Sequence, residues 1–379
     1  MGLIISTKQQ IDDYFNNPAL GQSSLKSLIG GLDSFLTNRE ETPKMFYEEK
    51  GHFIIGSGVD CILTGEEGQF EKEYHLSNIE KKPTDTIMSI INLVFAMVKD
   101  MAEMEEVSLE TFLLNNGNDL ELYGECILMA CNEHEYSMTW KSETRVNKVL
   151  ETGKEYFKDL QNGEGKQILD QEQYFKINDI VMSLKTNSVT APYFNRQEQE
   201  ITNNTDFYYQ LPIYFTYKEI ACKALLDLVC VYKDEEGSII AILPIDLKTM
   251  GGKTIQFNGS LVYRRYDIQA AWYTLALQNF FGVEKIRPFT FIVESTIEVG
   301  QPLVYKCHPS LLEMGKKGRP EMKYGNITST QTPFLIRNEI KGYETLVDEY
   351  LWYEENGWEK ERKIAENQGV LELSWNGIM

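Results

Sequence analysis

Between residues 206 and 250 the chain spells three strand-like runs almost back to back, and nothing else in it limits the fold so sharply. "FYYQLPIYFTY" and "CKALLDLVCVY" are rich in aromatic and branched residues, "KDEEGS" reads as a turn, and "IIAILPIDLK" follows as the next strand. "YDIQAAWYTLALQNFF", residues 266–281, has the look of a helix stopped by Gly282, and "RPFTFIVES" is one more strand. This order predicts an α/β (α+β) fold in which a central mixed β-sheet is flanked by helices. Upstream, helices are expected over 8–15 and over 23–28, the latter with serine as its N-cap, and a short helix is entered through small residues within 52–63. From Thr84 to about Phe194 apolar residues recur at helical spacing (Ile87, Ile90, Ile91, Val94, Phe95, Val98), which predicts a mostly helical block. Beyond residue 343 a helix pair breaks around Asn356-Gly357. The expected layout is 1–80 as an N-terminal helical part, 81–200 as a helical insertion, and 201–379 as the core sheet with C-terminal helices.

The third run ends in "PIDLKTM", residues 244–250, which sets an acid and a lysine two positions apart. Strand residues i and i+2 point to one face, so Asp246 and Lys248 should look out together. If the hairpin turns on Glu236-Gly237 as a two-residue loop, Asp227 falls directly across from Asp246, with Cβ atoms about 4.5–5.5 Å apart. Bare carboxylates at that range repel unless something neutralises them, and a divalent cation does so. Pro244 has no N–H for a ladder and marks a candidate bulge that would shift this pairing. In the following helix Arg265, Gln269 and Tyr273 fall at i, i+4 and i+8, a stripe that faces either solvent or a bound phosphate.

The six cysteines form no C-x-x-C pair and none of the clustered spacing of zinc or iron–sulphur sites, and there are only four histidines. A metal here would be held by oxygens, which favours magnesium or manganese. The net charge of −20 argues against nonspecific adhesion to nucleic acid. Two stretches run against it: Lys248, Lys253, Arg264 and Arg265 occur with no intervening acid, and Lys316, Lys317, Arg319 and Lys323 face Glu321 alone. No stretch approaches the roughly 20 apolar residues of a membrane span, so the cytoplasm is the expected compartment.

The order Asp227, then Asp246-Leu247-Lys248, then Gln269-Ala270-Ala271-Trp272-Tyr273 resembles the PD-(D/E)xK nuclease superfamily in its branch with a Q-x-x-x-Y helix, which includes RecB-type nuclease domains. It is most similar to the exodeoxyribonuclease VIII (RecE-type) group of phage recombination nucleases. "SSLKSLI" at 23–29 resembles that group's S-x-L-K segment, "IGSGVDCILTG" its G-x-x-x-H helix, and "ENGWEKE" its closing G-W segment. The resemblance implies a magnesium-dependent nuclease hydrolysing phosphodiester bonds of linear duplex DNA from its ends. By position it implies Asp227 and Asp246 as metal ligands with the backbone carbonyl of Leu247, Lys248 as the group assisting water, and Gln269 and Tyr273 as organisers of the site. Lys253, Arg264, Arg265, Lys316 and Lys317 would line a DNA channel. The group further implies a strand-annealing recombination protein as partner and a homo-oligomer.

Two positions depart from the group's pattern. Asp60 stands where histidine is usual, and Gln210 where a glutamate often opens the strand before the hairpin. Aspartate suits a hard cation, whereas an uncharged amide coordinates more weakly. Two rival readings follow: a nuclease-fold binding module with weak or absent catalysis, and a structure-specific endonuclease of the same superfamily.

Overall fold

The computed structural model describes residues 2–40, 51–77, 79, 83–202, 204–282, 285–320 and 339–366. They form two compact units, one of residues 1–67 with 177–379 and one of residues 68–176.

The larger unit is built on a six-stranded sheet: β1 (Leu3–Ile5), β2 (Thr205–Tyr217), β3 (Ile220–Lys233), β4 (Ile239–Met250), β5 (Thr290–Ser295) and β6 (Leu303–Lys306), adjacent in that order. The β1/β2 and β4/β5 pairs are parallel and the others antiparallel, so the sheet is mixed. The parallel β4/β5 pair needs a crossover. The Phe257–Tyr263 and Tyr266–Phe281 helices provide it.

The central hairpin differs in detail from the two-residue turn expected of Glu236-Gly237. β3 ends at Lys233 and β4 begins at Ile239, with the Asp234 carboxylate accepting from the Glu236 and Ser238 amides in the loop between. The register shifts by one residue between Tyr232 and Lys233, and from Tyr232↔Ala241 onward it is the one expected. Pro244 pairs with Val229 inside the regular ladder, so the proline marks no bulge.

The Tyr266–Phe281 helix lies against the sheet and buries Ile268, Ala270, Ala271, Trp272, Ala276 and Leu277. They join Val229 and Val231 of β3, Ile242 of β4 and Phe291 of β5 in one core with Leu25, Leu28 and Phe35. Trp272 is fully buried and its indole N–H donates to the Lys223 carbonyl at 3.0 Å, so its polar atom is satisfied as a buried indole requires. The Pro309–Lys317 helix approaches so closely that a Cβ on Gly315 would lie 2.0 Å from the Asp267 carbonyl oxygen. Of the upstream helices, Gln22–Ser27 is capped by Gly21 and not by a serine side chain, and Gly51–Thr64 is helical throughout its 14 residues. The C-terminal pair is Tyr343–Asn356 and Arg362–Glu366.

The smaller unit is mostly helical, as the apolar spacing predicts. Ile90, Ile91, Val94 and Val98 of the Asp85–Met104 helix pack with Ile127, Ala130, Val149 and Phe157. A short parallel pair, Tyr74–Leu76 with Gln167–Leu169, joins its two ends. No helix among the described residues is long and apolar enough to cross a membrane.

Candidate active site

The β3/β4 register brings the acids to one place. The ladder runs regularly to Leu228↔Ile245, and one step further in the same register stand Asp227 and Asp246. There the Leu247 amide donates to Asp227 Oδ2 at 2.8 Å. Asp246 is 1% exposed, and the Gln269 amide donates to its Oδ1 at 2.6 Å. Lys248 Nζ lies 2.5 Å from Asp246 Oδ2, yet that oxygen has no aligned hydrogen bond, so the contact is a close ion pair. The same ammonium stands 5.0 Å from the centre of the Tyr266 ring.

The third acid comes from the Gly51–Thr64 helix. Gly56 lets this helix lie close to β4, since a Cβ there would meet Thr249 Oγ1 at 2.9 Å. One turn later Asp60 is held twice: Thr64 Oγ1 donates to its Oδ1 at 3.0 Å, and the Gln210 amide donates to its Oδ2 at 2.9 Å. Gln210 also donates to Thr64 Oγ1 at 2.7 Å. Its φ of 50° is left-handed, and the β2/β3 ladder skips this residue between Tyr209↔Leu228 and Leu211↔Leu226. A non-glycine residue in this conformation costs roughly 1–2 kcal/mol, which the three-residue hydrogen-bonded group must offset.

The charges act on one another. Burial raises the Asp60 carboxyl to about 6, with Asp246 adding to the rise and Thr64, Lys248 and Gln210 opposing it. Burial, then Asp246 and Asp60, lifts Asp227 well above the ordinary carboxylate range. Asp246 is raised by burial against the pull of Lys248 and Lys26. Burial would lower Lys248, but Asp246, Asp227 and Tyr266 together hold its ammonium above the usual lysine value. A second lysine belongs to this neighbourhood, one that residue order marks only by its place in the S-x-L-K segment. Lys26 sits 5.8 Å from the same Tyr266 ring and is lowered to about 8 by burial and by Lys248.

The donor set suits a hard cation in kind, because the buried Asp246 and the half-buried Asp60 and Asp227 share the charge of few ammonium groups and Asp246 Oδ2 lacks an aligned donor. It does not suit one in placement. Among the described residues no group of three or more His, Cys, Asp or Glu side chains is drawn together to hold a metal ion. Each acid is instead held by its own neighbours: Asp60 by Thr64 and Gln210, Asp227 by the Leu247 amide, Asp246 by Gln269 and Lys248.

Tyr273 lies one turn beyond Gln269 and is 6% exposed; burial, and then Tyr14, Asp246 and Asp227, push its phenol up. Arg265 departs from the stripe it was expected to share with them. It adopts a left-handed conformation and its guanidinium grips Asp267 through two bonds of 2.9 Å, with a third to the Lys341 carbonyl at 2.7 Å. Lys253 pairs with Glu298, Lys316 with Glu344 and Lys317 with Glu313. Arg264 is exposed and has no ion pair among the described residues. Lys323 and Glu321 lie outside the described residues, as does the side chain of His52. Glu294 at the end of β5 is fully buried and opposes Thr249; it accepts from Ser183, from the Ser295 amide at 2.8 Å and from the Gly300 amide. Nothing in its sequence surroundings singled it out.

No family model matches the chain, and no curated protein matches it. Among solved structures it is similar to a protein from Eubacterium rectale provisionally named an exonuclease, at 12% identity and a TM-score of 0.38, over 82% of this chain and 81% of that one. The functional reading therefore rests on the site.

Proposed function

We propose that this chain is a nuclease-type DNA-engaging protein whose hydrolytic capacity is weak or absent. The observation that carries this reading is the set of bonds that holds each acid to its own neighbours, above all the Gln210 amide on Asp60, in a site where Lys248 and Gln269 both engage Asp246 and the Leu247 amide engages Asp227. Lys26 and Lys248, on the Tyr266 ring, supply positive charge for a phosphate, while burial, which favours the protonated form of each acid, lessens their repulsion of it. The resemblance to recombination nucleases supports DNA as the ligand, a strand-annealing protein as partner, a homo-oligomeric assembly and a cytoplasmic setting.

A second reading is the full activity: a magnesium- or manganese-dependent exonuclease of linear double-stranded DNA in phage-type recombination. The retained Asp227, Asp246, Lys248 and Gln269 favour it. One experiment separates the two. Linear duplex and covalently closed circles are incubated with the protein in magnesium and in chelator, beside Lys248→Ala and Gln210→Glu, while binding is followed in parallel. The first reading expects retained binding with little loss of DNA. Rapid magnesium-dependent loss of linear DNA alone, abolished in Lys248→Ala, replaces it with the second. Cutting of the closed circles points to an endonuclease.

A further inference from the structure

The stretch that links the candidate site to its helix carries an apolar surface that the fold does not use. Residues 254–256 form one helical turn that runs directly into the Phe257–Tyr263 helix. Thr254 and Phe257 point inward, Phe257 stacking on Tyr266 at 5.8 Å between ring centres. Ile255, Gly259 and Val262 follow at i, i+4 and i+7 and all face out, with Tyr263 beside them. Ile255 and Val262 are each 69% exposed and Tyr263 is 87% exposed. Three large apolar side chains on one short ridge are more than scattered surface exposure explains.

The ridge is tied to the site. Its end, the Arg264 carbonyl, accepts from Lys26 Nζ at 3.4 Å, and Lys26 and Lys248 share the Tyr266 ring. Its side is cationic in a chain of net charge −20, because residues 248–265 hold four basic residues and no acid. Lys253 is offset by Glu298, Arg265 by Asp267 and Lys248 by Asp246, which leaves Arg264 and Lys26 as the nearby charges with no ion pair among the described residues. A polymer with flat apolar faces spaced along an anionic backbone fits this surface: bases stack on aromatic and aliphatic side chains while phosphates meet the cations.

We propose that the Ile255–Val262–Tyr263 ridge is a base-stacking platform that receives the unpaired end of a DNA strand and leads its backbone past Arg264 to Lys26. The proposal rests on the nuclease-type reading of the site and names the form of DNA that the site takes. Duplex DNA presents its bases stacked inside the helix, so the ridge selects a frayed or single-stranded end.

The test measures the anisotropy of a labelled oligothymidylate, of a strand of equal length with abasic sugars at one end, and of a blunt duplex, all in chelator at one fixed salt concentration. Wild type is expected to prefer the base-bearing strand. Tyr263→Ala should weaken that binding roughly five- to a hundredfold, the range for one lost base stack, and leave abasic binding unchanged. Tyr263→Phe, which keeps the ring, should restore it. Tyr263 lies on the surface, and circular dichroism confirms that each variant is folded. DNA binding that is indifferent both to the missing bases and to Tyr263→Ala overturns the platform and leaves the nuclease-type reading standing. Failure of wild type to bind any of the three DNAs overturns both. Loss of binding to anionic phosphatidylserine vesicles in Tyr263→Ala, with DNA binding intact, reassigns the ridge to a lipid surface and overturns the proposal.

Discussion

Gln269 reaches from its helix to β4 and donates a 2.6 Å hydrogen bond to Oδ1 of Asp246, the most deeply buried acid of the site. This bond fixes which way the carboxylate turns and so decides that Oδ2 faces Lys248. Replacing Gln269 with Leu leaves a buried oxygen unpaired. The expected cost is about 1–3 kcal/mol of stability, with weakened DNA binding through a misoriented Asp246, measured by denaturant melts and anisotropy.

Lys248→Met removes the ammonium that offsets three acids. Breaking one side of a buried ion pair costs roughly 3–5 kcal/mol. Since Lys248 opposes the upward shifts of Asp60, Asp227 and Asp246, its loss should drive all three toward their protonated forms. The variant is therefore expected to be least stable at alkaline pH and to recover part of its stability on acidification. A loss that is equal at all pH values would separate Lys248 from these acids.

Asp60 gives the clearest pH signature. Its carboxyl is raised from the ordinary value of 3.8 to about 6, so the folded chain holds a proton that the unfolded chain releases earlier. The associated stabilisation is complete below about 3.8 and is lost as pH rises through about 6. Asp60→Asn never ionises and should exceed wild type in stability above pH 6, by on the order of 2 kcal/mol, with the gap closing in acid. Chemical denaturation across this pH range reads the difference directly.

The two close-packed glycines should behave differently. Gly315→Ala drives a Cβ to 2.0 Å from a backbone oxygen that has nowhere to move, whereas Gly56→Ala meets only the rotatable Thr249 hydroxyl at 2.9 Å. Gly315→Ala should cost about 1–3 kcal/mol or more. Gly56→Ala should cost little in a thermal melt.

Much of the sheet and part of the site could be read from residue order. Alternation on the third strand put Asp246 and Lys248 on one face, and the hairpin register put Asp227 opposite Asp246 even though the assumed turn was too short. The bulge at Tyr232 and Lys233 adds a residue on β4 that compensates for the longer loop, and no turn propensity announces such a compensation. The hold of Gln210 on Asp60 depends on residues 150 positions apart and on a left-handed backbone inside a strand, which local sequence does not signal. Arg265 failed to join the stripe of Gln269 and Tyr273 because it precedes the helix in a left-handed turn, where helical spacing no longer applies. Charge runs do not announce local pairing for a related reason: Lys253, Lys316 and Lys317 meet acids that lie elsewhere in the chain or one turn away on the same helix.

The most direct test of the account is the equilibrium affinity of the full chain for end-labelled linear DNA, wild type against Lys248→Ala, across a salt series. Wild type is expected to bind in a salt-dependent manner, with a drop of about tenfold in the variant, on the order of one lost charge-assisted phosphate contact. Equal affinity of the two proteins, or no binding by wild type at low salt, would contradict the account.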